Sequence, residues 1–481
     1  MTPATPIWTR NEVLAATNGQ AGESGHDWAA TGVSIDSRTC RPGDLFVAIS
    51  GENFDGHDYL DAAFDAGAAA AITSRDTNTG SRGSSVIRVD DGLHALANLG
   101  RAARDRTDAP IVAITGSVGK TGTKEAMTLA LGSIGPTHAT TGNLNNHIGV
   151  PLTLARMPRD MQFAVIELGM NHAGEISDLS KLVRPNVGVI TTIAAVHLEF
   201  FDHVAEIADA KAELFDGMCQ GGIAILNRDN VYFAILAARA WARGLENVVG
   251  FGAHPEADVQ LSACKLGDNG SDVTARLEDR IIRYRLNVPG RHWVQNSLAV
   301  LGTVSALGGD LDSAAAALAK LTPPKGRGAR FNVKMSDGLL TVIDDSYNAS
   351  PASMRAAFAV LGHTRPHSGG RRIAVLGDML ELGDASENLH TALAGELETN
   401  RIDQVFCAGP GMAALDNILP TEMRGGAAKD SKTLAPQVCQ AVSAGDVVLV
   451  KGSLGSRMAL IVEALCALDT NSDGLEANHA V

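Results

Sequence analysis

Six consecutive residues, Gly116, Ser117, Val118, Gly119, Lys120 and Thr121, have the make-up of a phosphate cradle. Glycines let backbone N–H groups turn toward an anion. A lysine can reach the β- and γ-phosphates of a nucleotide, and the hydroxyl beside it can bind Mg²⁺. The strict G-x-x-x-x-G-K-[ST] pattern is not met, because Ile114 stands where its first glycine belongs. The stretch can also be read as a plain βα turn with a solvent-facing lysine. Its context favours the nucleotide: a β-branched run, "VAIT", leads in and a helical run, "KEAMTLAL", leads out. Two further groups end apolar runs, Glu167 in "VIELGM" and His197 in "TIAAVHLEFF". A carboxylate and an imidazole beside a triphosphate could hold a second Mg²⁺. Taken singly, the first reads as a helix cap and the second as a packed loop histidine.

The elements that must position these groups fall into three blocks. Residues 1–85 contain a strand at "GDLFVAIS", a helix running into a strand at "GHDYLDAAFDAGAAAAI", and a polar loop at "RDTNTGSRGSS". Residues 86–320 open with the helix "GLHALANLGRAARD". Strands follow at "PIVAITG", "FAVIELG" and "VGVITTI", with helices between them. That alternation predicts a mostly parallel sheet with helices on its faces, and ligands gather beyond the carboxyl ends of such strands. The proline-glycine stretch "LTPPKGRGARF" reads as a connection to residues 321–481. There, "LLTVIDDSYNASP", "RRIAVLGDMLELG", "QVFCAGPGM" and "DVVLVKGSLGSRM" predict a second, smaller doubly wound α/β domain. The tail "DTNSDGLEANHAV" is polar and expected to fray.

A chain of 481 residues exceeds one ordinary core, which agrees with several domains. Net charge is -14, which disfavours a nucleic-acid partner held by its phosphate backbone. A phosphorylated small molecule needs only a few local donors and is not disfavoured. The N-terminus lacks the apolar segment of a signal peptide, and no run approaches the roughly 18 apolar residues of a membrane span. The six cysteines form no C-x-x-C pair. They are expected as reduced, mostly buried thiols of a cytoplasmic protein.

Together these motifs resemble the Mur ligases, ATP-dependent amide-forming enzymes of bacterial cell-wall synthesis. The resemblance runs from about Val33 to Arg457. It implies three α/β domains: a small N-terminal domain for uridine diphosphate, a central phosphate-loop ATPase domain with a parallel sheet, and a C-terminal Rossmann-like domain. "SIDSRTCRPGDLFVAISGENFDGHDY" resembles the first, with Ser37 and Arg38 as candidate substrate contacts. "TGNLNNHIGVPLTL" resembles the segment that closes over the muramoyl-peptide. Asn143, Asn145 and Asn146 could serve its amides and sugar hydroxyls. Without the other motifs, that segment reads as an Asn-rich turn. "DAKAELF" resembles the lysine that the family converts to a carbamate, so Lys211 would be a Mg²⁺ ligand with Thr121, Glu167 and His197. On its own residues, Lys211 is an ordinary surface lysine.

The resemblance also assigns Asn296 in "GRHWVQNSLAV" to the adenine and Arg327 in "KGRGARF" to the nucleotide end. "DDSYNASP", with Asp345, Tyr347, Asn348 and Pro351, follows the branch that adds D-alanyl-D-alanine. Lys451 and Ser453 in "VKGSLGSRM" would lie near the incoming amine or its carboxylate. Two positions depart from the family. Gly122 replaces the usual second Thr or Ser after "GKT", a lost hydroxyl that Thr123 could supply, and Phe200 replaces a glycine in "HLEFF". The implied reaction joins D-alanyl-D-alanine to UDP-N-acetylmuramoyl-tripeptide with ATP and Mg²⁺; a monomer is the default expectation, since the sequence does not fix the oligomeric state. Two alternatives stand beside it. One is another amide ligase of the superfamily, such as an amino-acid-adding member or a folylpolyglutamate synthase. The other is a nucleotide-binding regulatory module, which would leave the third block without a purpose.

Overall fold

The strand Ile111–Thr115 is buried along its whole length, and its alternate residues feed two different cores. Val112 and Ile114 pack with the helices Lys120–Gly132 and Arg291–Ala306. Ile111 and Ala113 pack with Gly92–Asp105, Gly149–Ala155 and Glu175–Val183 on the opposite face. A strand covered on both sides needs a continuous apolar run, which "IVAIT" supplies. The computed structural model describes residues 5–21, 27–51, 53–76, 85–196, 198–367 and 369–470. Most of the loop expected at 75–85, most of the polar tail, and His197 therefore lie outside the described residues.

Three main sheets are present among these residues, with a short antiparallel pair, Trp8–Thr9 and Ala29–Ala30, beside the first. The central sheet has nine strands. Ile111–Thr115 lies between Phe163–Glu167 and Val187–Ile190, both parallel to it. Its far edge is an antiparallel meander, Val259–Gly267, Gly270–Leu277 and Arg280–Leu286. The N-terminal sheet has five strands; the last in the chain, Val86–Arg88, lies between Gln20–Ala21 and Ala70–Thr73 and is parallel to the latter. A division at residue 85 separates these two paired strands. The domain shares a core with the central one. Trp8 Nε1 donates to Ala155 O at 2.8 Å, and Arg156 Nε donates to Val33 O at 2.6 Å.

The C-terminal sheet has six strands, in the order 329–335, 338–345, 447–451, 372–377, 404–408 and 424–428. Only the first pairs antiparallel with its neighbour. Gly338–Asp345 and Val447–Lys451 run side by side with Asp345 opposite Lys451, so their carboxyl ends present these two residues together. Pro351 occupies the first turn of helix Pro351–His363, capped by Ser350. Its fixed φ and missing N–H suit that position. All six cysteines are free, but only Cys407 is buried. The expectation of mostly buried thiols fails because the others fall on partly exposed loops, strands and helix faces.

Candidate active site

The glycine loop is shaped by two positive φ angles, 146° at Gly116 and 91° at Gly119. A Cβ at Gly116 would run into the Thr191 hydroxyl. The loop is tied to the end of the neighbouring strand. Ser117 N donates to Thr192 O at 2.8 Å, and Thr191 Oγ1 donates to Val118 O at 2.7 Å. The first turn of helix Lys120–Gly132 is left with unpaired N–H groups, an anion site by construction. Lys120 folds back over the loop and donates to Gly116 O at 2.8 Å. Burial above all lowers its amine pKa; the charge of Glu167 opposes this and that of Arg327 adds to it.

Glu167 closes its strand and is 1% exposed. Its Oε1 accepts from Asn145 Nδ2 at 2.8 Å and from Thr121 Oγ1 at 3.3 Å. Its backbone N–H donates to Thr140 Oγ1 at 3.0 Å. Its Oε2 is buried and has no hydrogen-bond partner among the described residues. A buried carboxylate oxygen without a partner is costly. Beside a hydroxyl and a phosphate loop, that oxygen suits a hard divalent cation. Among the described residues no group of three His, Cys, Asp or Glu could hold a metal ion.

Lys211, near the end of helix Val204–Ala212, is 1% exposed. Burial first and the Lys120 charge second press its pKa well below that of an ordinary lysine, against a weaker pull from Glu213. The surface lysine suggested by its residues alone is thus corrected: it lies inside, held there by a helix packed on the central core.

Across the cleft, Lys451 Nζ donates to Asp345 Oδ2 at 2.6 Å and to Asn348 O at 3.0 Å. Burial raises the Asp345 carboxyl pKa despite the adjacent Lys451 charge. The Arg327 guanidinium stacks 4.3 Å from the centroid of the Tyr347 ring. Ser453 Oγ accepts from Leu380 N at 3.0 Å.

These two edges enclose one cleft of about 980 Å³. Into it the structure brings Ser117, Val118, Gly119, Lys120, Thr121, Gly122 and Glu167 from the central domain. Asn143, Asn145, Asn146 and Asn296 line the same cleft, as do Arg327, Asp345, Tyr347, Asn348, Lys451 and Ser453. Gly116 shapes the loop from behind. Asn145 serves Glu167, and Asn146 Oδ1 accepts from Gly149 N at 2.9 Å. Both amides are therefore partly committed to the protein. Ser37 and Arg38 are not in this cleft. They follow strand Gly32–Ser34 on the N-terminal domain, where Arg38 pairs with Asp36 at 2.6 Å with 84% of its side chain exposed. Thr123 does not replace the hydroxyl missing at Gly122. It is fully buried, away from the cleft, on the inner face of its helix. Sequence reasoning missed Thr140, His292 and Trp293. The "GRHW" stretch that opens Arg291–Ala306 was the available signal for the last two.

A phosphate loop facing the strand ends of a second α/β domain defines a nucleotide-dependent enzyme that works between domains. Family descriptions match all three parts: "Mur ligase family, catalytic domain" over residues 29–104, "Mur ligase middle domain" over 114–304, and "Mur ligase, glutamate ligase domain" over 329–454. The chain is 35% identical over 463 residues to the UDP-N-acetylmuramoyl-tripeptide–D-alanyl-D-alanine ligase of Escherichia coli, covering 95% of this chain and 98% of that protein. It superposes on a crystal structure of MurF from Acinetobacter baumannii with a TM-score of 0.83 at 30% identity, covering 97% and 100% of the two chains. MurF from Thermotoga maritima, solved in complex with ADP, gives 0.76 at 28% identity, covering 91% and 97%. The chain belongs to the Mur ligase family.

Proposed function

We infer that the protein is an ATP-dependent ligase that adds D-alanyl-D-alanine to UDP-N-acetylmuramoyl-tripeptide, in peptidoglycan precursor synthesis. One observation carries this: the phosphate loop and the Asp345–Lys451 edge, from two domains, share one cleft. A carboxylate is a poor acyl donor because oxide would have to leave. The tripeptide carboxylate therefore attacks the γ-phosphorus of ATP, the bond to ADP breaks, and an acyl phosphate forms. The dipeptide amine then attacks the carbonyl carbon. A tetrahedral oxyanion collapses, phosphate leaves, and the amine proton is lost to the phosphate or solvent.

The chain's share is positioning and charge. The free N–H groups of Gly119–Gly122 and Lys120 hold the phosphates. Asn296 lies against the loop and recognises the base, and Arg327 neutralises charge from the C-terminal side. Lys451, Asn348 and Ser453 orient the dipeptide, while Tyr347 and Asp345 hold Arg327 and Lys451. Asn143, Asn145 and Asn146 face the muramoyl-peptide, and Ser37 and Arg38 bind its uridine diphosphate. Thr121 and Glu167, with His197, are the protein groups for Mg²⁺. That ion supplies charge neutralisation of the phosphoryl oxygens when bound. Lys211, whose burial favours the neutral amine, is the group that takes up CO₂. Its carbamate adds the oxygen donors that the described residues lack. No helix among the described residues is long and apolar enough to cross a membrane. The protein works as a cytoplasmic monomer.

The test offers ATP, Mg²⁺ and UDP-N-acetylmuramoyl-tripeptide with D-alanyl-D-alanine, D-glutamate or diaminopimelate in turn. Mass spectrometry should find the UDP-linked pentapeptide with the dipeptide alone. A product bearing a single amino acid would assign the chain to another branch of the family. Hydrolysis of ATP with no product would leave a nucleotide site without a ligase.

A further inference from the structure

Helix Arg291–Ala306 turns Trp293 and Asn296, three residues apart and so on one face, toward the first turn of helix Lys120–Gly132. The approach is close at position 122. A Cβ there would lie 3.0 Å from Trp293 Cη2 and Cζ3, and 3.2 Å from Asn296 Nδ2. A Cβ at Gly119 would lie 3.0 Å from Asn296 Oδ1. The indole is 4% exposed, packs with the core beneath the central sheet and borders the cleft, so a side chain at 122 must push it or Asn296 aside. Asn296 is 8% exposed and lines the cleft. Its amide makes no hydrogen bond among the described residues and is free for a ligand.

We propose that Gly122 and Trp293 form a steric spacer that sets the distance between the phosphate loop and the Asn296 amide. Trp293 is thereby a positioning residue for the nucleotide. Gly122 is required by the indole, and not merely a residue that has lost a hydroxyl. The inference rests on reading the glycine loop and Asn296 as the nucleotide site. The two explanations of Gly122 predict opposite signs. If the glycine only lacks a phosphate-facing hydroxyl, Gly122→Ser tightens nucleotide binding. If it is a spacer, the new side chain displaces Trp293 or Asn296 and weakens binding.

The experiment titrates ADP with Mg²⁺ into the full chain by calorimetry, using wild type, Gly122→Ser, Trp293→Phe and the double variant. Phenylalanine lacks the outer ring atoms that Gly122 accommodates. An overpacked serine should weaken ADP binding about tenfold, and Trp293→Phe alone about threefold. The double variant should bind within about threefold of wild type, a strong departure from additivity. Affinity for the UDP-linked tripeptide should not change in any of the four. Should Gly122→Ser fail to fold, the double variant must fold and bind. A Gly122→Ser protein that binds ADP as tightly as wild type, single losses that multiply in the double variant, or a double variant that also fails to fold would overturn the spacer. A wild-type protein that does not bind ADP would instead overturn the nucleotide site itself.

Discussion

Lys451 and Lys211 are buried to nearly the same depth, 2% and 1% exposed, in opposite electrical settings. Lys451 ends a strand beside Asp345 and donates to it at 2.6 Å. Lys211 forms no ion pair among the described residues, and the Lys120 charge pushes against it. A buried ammonium is sustained by a carboxylate in contact. Without one, burial favours the neutral amine, which is a nucleophile. The same side chain thus lies against a carboxylate at the cleft in one place and is buried without one in the other.

Removing the partner is the sharpest way to break the comparison. Lys451→Met leaves Asp345 buried and unpaired, which should cost about 3 kcal/mol in denaturant unfolding. Adding Asp345→Asn should recover most of that loss. Lys211→Ala should leave the unfolding midpoint nearly unchanged while lowering turnover about 100-fold, the scale of losing one preorganised charge contact. In wild type, stripping dissolved CO₂ should lower activity, and bicarbonate should restore it.

His292 reports on the Lys451 wall. Its surface is exposed at the cleft, yet the protein atoms crowded around it, and then the Lys451 charge, lower its pKa. The unfolded chain takes up this proton near the ordinary histidine value, about pH 6.5, before the folded chain does. The unfolded state therefore binds more protons between about pH 6.5 and the lowered folded value, and stability falls as pH drops through that window. Because the imidazole is solvent-exposed, screening should keep that slope well below one full proton's worth, and His292→Gln should remove it. The smallest effect is expected far from both lysines. Arg38→Ala, at an exposed pair, should raise KM for the UDP-linked substrate several-fold and leave the unfolding midpoint unchanged.

The strand, glycine turn and helix around Lys120 were legible because each has a local signature: β-branched residues, φ-permissive glycines and good helix formers. The meander 259–286 was not anticipated. Its first strand, Val259–Gly267, alternates weakly, and Leu261 and Ala263 there flank a register shift. Val86–Arg88 was not legible as part of the N-terminal sheet, because a three-residue strand is defined by the partners it pairs with. At the site, residue types and strand ends pointed to Lys120 and Glu167. The depth of Lys211 did not show, because burial of a lysine depends on packing from elements distant in sequence. Thr140 stayed hidden for a similar reason: its hydroxyl matters only through the Glu167 backbone across a strand pair.

The most direct test of the account is phosphate release from ATP and Mg²⁺, measured with UDP-N-acetylmuramoyl-tripeptide, with D-alanyl-D-alanine, with both and with neither, alongside Lys120→Ala. The account predicts sustained release only when both substrates are present, and its loss in the variant. Release indifferent to D-alanyl-D-alanine, or undiminished without Lys120, would contradict it.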